Sequence, residues 1–61
     1  MTEFLDQLRH RVRHALDDLE RARAAGDDYS VQIHTGELES IARIAESHGV
    51  RLRELEGFSV A

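Results

Sequence analysis

Ala25-Gly26-Asp27-Asp28 separates two long stretches of helical hydrophobic spacing, and its reading decides the fold. Glycine accepts left-handed dihedrals at little cost and is the usual residue just past a helix end. Aspartate is a preferred N-cap, because its carboxylate accepts the free N–H groups of a first helical turn. The four residues therefore predict one helix ending near Ala25 and a second capped by Asp27 or Asp28. So short a link makes the two helices antiparallel neighbours.

Upstream, Leu5, Leu8, Val12, Ala15, Leu19 and Ala22 recur in alternating steps of three and four. That is a heptad seam, and it predicts a helix over residues 3–25. Phe4 and Leu16 widen the stripe to roughly a third of the circumference. The opposite face carries Asp6, His10, Arg13, His14, Asp17 and Arg21.

Downstream, a second helix is predicted over residues 28–48, with Gly49 past its end and Val50 supplying the hydrophobic contact that follows such a turn. Its apolar arc is broader, roughly half the circumference. Val31, Leu38, Ala42 and Ala45 form one flank, Ile41 the centre, and Ile33 and Ile44 the other flank. A rival reading stands for residues 29–34, where Tyr29, Val31 and Ile33 alternate with polar residues as in a strand. The continuous helix is preferred, since a strand there finds only the weak segment 50–52 to pair with. Gly36 then lies inside a helix, as a close backbone contact or as tolerated slack. The tail, residues 50–61, is ambiguous: Leu52 and Leu55 would continue the heptad if Gly49 did not end it, and Phe58 and Val60 are apolar.

The chain has 61 residues, 41% hydrophobic and 33% charged, with neither cysteine nor proline. It reads as one all-α domain of the soluble globular type. So short a chain buries only about 60% of its unfolded surface, which leaves its core marginal. Without cysteine, disulfides and thiolate zinc sites are excluded. Oligomerisation is the remaining economical source of stability. The narrow stripe of the first helix cannot cover the broad arc of the second, and an uncovered Ile33 and Ile44 flank points to a binding surface. The expected architecture is an antiparallel two-helix hairpin completing a four-helix bundle as a homodimer, with second helices facing. A different helical protein partner would satisfy the same surface.

Chemistry is sparse. His34, Glu37 and His48 lie in the broad arc, and the first two share a face. Bundle metal sites use Glu-x-x-His with further carboxylates, whereas this is His-x-x-Glu and the first stripe holds no acid. These three are therefore candidate polar interface residues, and neither metal nor cofactor is expected. His10 and His14 are spaced for chelation but sit on the solvent face. Arg9, Arg11 and Arg13 are candidate phosphate contacts. The net charge of −4, the alternation of these arginines around the helix, and the absence of interleaved aromatics all argue against nucleic acid. No nucleophile motif or phosphate-binding glycine loop occurs, so no enzyme activity is expected. Neither a signal segment nor a membrane-length apolar run is visible, which makes the cytoplasm the expected compartment.

Function is thus expected to be binding: a protein-interaction module serving as adaptor, regulator or accessory subunit. The residues expected to carry association are Ile33, Leu38, Ile41 and Ile44, with Tyr29 and Phe58 as anchors. A nucleic-acid-binding regulator using the arginine cluster is the first alternative, and a metal-binding bundle the second.

Overall fold

The computed structural model describes residues 2–56. Helix α1 spans Thr2–Ala25 and helix α2 spans Asp28–Ser47; a short extended segment and one 3₁₀ turn, Arg53–Leu55, follow. The two helices pack as a hairpin. No strand occurs among the described residues. Residues 29–34 are helical, because the cap at Asp27 fixes the first turn and no strand is present to pair with the alternation.

Both helix ends are closed by glycine. Gly26 has φ of +69°. Its N–H donates to the Arg23 carbonyl at 3.1 Å, and the Asp27 N–H donates to the Ala22 carbonyl at 2.9 Å. This is a Schellman pair, which satisfies carbonyls the helix leaves free. Gly49, at φ +68°, repeats the device: its N–H meets Glu46 O at 3.0 Å, and that of Val50 meets Ala45 O at 2.8 Å. Val50 then packs against the core, as the motif favours.

Asp27 serves both helices. Its amide closes α1, while its carboxylate accepts the Ser30 N–H at 3.2 Å and the Ser30 hydroxyl at 2.7 Å. The Ser30 hydroxyl, then the Ser30 amide, hold the Asp27 carboxyl below its ordinary value.

The core follows the predicted seam on α1: Leu8, Val12, Ala15, Leu19 and Ala22 are buried. From α2 come Leu38, Ile41 and Ala45, and from the tail Leu52, which is 4% exposed. After Gly49 the chain turns back across the hairpin, so Leu52 fills space that a straight heptad continuation would have left empty. Val50 and Leu55 flank it, half-buried. Each fully buried Leu, Ile or Val contributes about 1.5–3 kcal/mol, but three of the nine buried apolar residues among those described are alanine. The core is correspondingly thin. No described helix is long and apolar enough to cross a membrane.

Candidate interaction surface

The four residues expected to carry association separate into two groups. Leu38 and Ile41 are 0% and 2% exposed inside the single chain. They belong to the hairpin's own core and are not free to meet a partner. The correction is geometric: the width of an apolar arc does not say which part of it faces α1. Ile33 stays 44% exposed, and Tyr29, one turn before it, 74%. Ile44 is half-buried against the core's edge. Phe58 lies outside the described residues.

The exposed group sits on the side of α2 away from α1. At about 100° per residue, Tyr29, Ile33, Gly36, Ser40 and Arg43 fall on one outer face. Gly36 at its middle is exposed, and a Cβ built there meets nothing within 4 Å. No close contact among the described residues requires glycine at this position, although glycine inside a helix costs about 1 kcal/mol relative to alanine.

The polar trio of α2 does not assemble. His34 Nδ1–H donates to Glu37 Oε1 at 2.7 Å, one turn away on the same helix. His48, four turns beyond His34, caps the far end: its Nδ1–H donates to the Ile44 carbonyl at 2.9 Å. Its ring also lies 4.8 Å from that of Phe4, a contact between the start of α1 and the end of α2. The acceptor carbonyl fixes the His48 tautomer, since a carbonyl only accepts. Periodicity gave no sign of the Phe4–His48 contact, which joins residues distant in sequence at the open end of the hairpin.

The arginines also separate. Arg13 Nε donates to Glu54 Oε2 at 3.1 Å, tying α1 to the 3₁₀ turn. Arg9, one turn earlier, lies on the same side and adds its charge near Glu54. Arg11 lies on the other side of α1, in a cleft with His14, Asp18 and Glu37. The three therefore do not form one phosphate-binding edge. Glu54's own backbone N–H, then the Arg13 hydrogen bond and the charges of Arg13 and Arg9, hold its carboxyl below the ordinary value against partial desolvation. Glu54 is a structural residue the sequence reading missed, because its partner is distant in sequence.

The His10 and His14 rings lie tilted to each other with centroids 5.6 Å apart, and His14 faces Asp18 at 3.8 Å while Asp17 pairs with Arg21 at 2.8 Å. Among the described residues, no three histidine, aspartate or glutamate side chains converge to hold a metal ion. No protein-family model matches the chain, and neither a curated protein nor a solved structure gives a match.

Proposed function

We propose that this chain is a small protein-interaction module, an adaptor, regulator or accessory subunit, that works by self-association through α2. Two hairpins with their second helices facing would form a four-helix assembly of two-fold symmetry. The observation that carries the reading is the pair Tyr29 and Ile33, large apolar side chains left exposed one turn apart on the outer side of a capped helix. The thin, alanine-containing core supports it, since so small a chain gains stability from a partner.

The test is the mass in solution by light scattering across a dilution series, with helicity followed by circular dichroism. A helical dimer that dissociates on dilution is the expected result. A helical monomer at every concentration would overturn self-association.

A further inference from the structure

We infer that two copies of the chain pair antiparallel along the outer face of α2, with Gly36 on the two-fold axis. The inference rests on the self-association reading above and adds the face and the register.

Gly36 points away from the hairpin core, about 180° round the helix from Ala45 and about 160° from Leu38. Among the described residues its missing side chain serves no contact, since a Cβ there meets open space. Together with Ser40, one turn on, it leaves a notch between Ile33 and Arg43. In antiparallel pairing about Gly36, the partner's Ile33 lies over this notch, and the glycine lets the two backbones approach.

Charge selects the orientation. Asp28 and Arg43 make no ion pair among the described residues, and both are exposed. Gly36 lies midway between Tyr29 and Arg43. An antiparallel pair centred on it therefore sets each Arg43 against the partner's Tyr29, one residue from the partner's Asp28. A guanidinium there can stack on the phenol ring and bond the carboxylate. On the same flank Gln32 comes within one residue of the level of the partner's Glu39. A parallel pair would instead place Arg43 beside Arg43 and Asp28 beside Asp28, which like-charge repulsion disfavours. Glu37, the acid nearest the axis in sequence, is about 100° round the helix from Gly36 and is bonded to His34. One helix against one helix covers less than the roughly 1,200 Å² of a stable interface, so the pair dissociates on dilution.

The experiment is sedimentation equilibrium on the full chain, with helicity recorded for every variant. Arg43→Asp and Asp28→Arg are each expected to weaken self-association about tenfold, as loss of an interfacial charge pair does. The double variant is expected to restore it. Positions 28 and 43 are about 22 Å apart on one helix, so rescue can arise only between copies. Gly36→Leu is expected to abolish pairing while helicity is kept. Dimers that ignore all these changes, or a double variant that fails to restore pairing, would overturn the register and leave self-association standing. A wild-type chain that stays monomeric would overturn both.

Discussion

Arg13 Nε lies 3.1 Å from Glu54 Oε2, a contact spanning 41 positions of sequence that fastens the 3₁₀ turn to the middle of α1. The arginine is 71% exposed and the carboxylate 18%. An ion pair so open to water on one side holds position more than it adds stability. Glu54→Gln is therefore expected to cost no more than about 1 kcal/mol. The same change should speed hydrogen exchange at the Leu55 and Glu56 amides, which bond to Leu52 and Arg53 carbonyls. Unaltered exchange at those two amides would refute a fastening role.

Leu52 is the tail's main anchor. Leu52→Ala is expected to destabilise the chain by about 2–4 kcal/mol, as for other buried leucines. Chemical denaturation of the variant measures this. A change below about 0.5 kcal/mol, the size seen at surface sites, would mean the tail contributes little to the core.

The two groups within the α2 arc should respond differently to charge. Ile41→Asp buries an unpaired carboxylate in the core and is expected to unfold the chain. Ile33→Asp is expected to leave helicity and melting temperature of the monomer unchanged while weakening self-association. Circular dichroism with light scattering separates the outcomes, and equal unfolding by both would contradict the division.

The glycines make a second contrast. Gly36→Ala adds a Cβ in open space within a helix and is expected to stabilise the monomer by about 0.5–1 kcal/mol. Gly26→Ala and Gly49→Ala force a side chain into positive φ and are expected to lower the melting temperature. Thermal melts at a concentration where the chain is monomeric decide the signs.

Acid should loosen both the corner and the tail. Asp27 and Glu54 ionise more readily folded than unfolded, where their values are 3.8 and 4.5. Their contribution is fully present above those values and is lost as pH falls through the lower, folded ones. Stability is therefore expected to drop as pH falls below about 4.5, beginning with Glu54. In the Asp27→Asn, Glu54→Gln double variant that part of the acid limb should flatten. An unchanged slope in denaturation curves taken across this range would show that neither carboxyl contributes.

Much of the fold was legible because it is local. The seam of α1 from Leu8 to Ala22, the glycines at 26 and 49, and the cap at Asp27 all act within a few residues of themselves. The candidate surface was only half legible. Ile33, on one flank of the arc, is exposed, as is Tyr29 outside it, but Leu38 and Ile41 are spent on α1, and helical spacing records only angle. Leu52 was ambiguous for a related reason. Once Gly49 reverses the chain, the position of Leu52 depends on a contact across the hairpin that no period reports. The Arg13–Glu54 pair and the Phe4–His48 contact share this character, joining residues that only the finished fold brings together.

The double duty of Asp27 has a kinetic consequence. The connection between the helices holds no residue without a task, since the amide that ends α1 and the carboxylate that begins α2 belong to one amino acid. The corner can therefore form from nearby residues alone, before any distant contact exists, and chains whose contacts are local fold quickly. We expect the hairpin to nucleate there, with the strap of Leu52 and Glu54 closing afterwards. Asp27→Ala would then slow folding, with a φ-value near about 1, whereas Leu52→Ala would mainly hasten unfolding, with a φ-value near about 0. Stopped-flow rates showing the reverse order would place the start of folding at the other end of the hairpin.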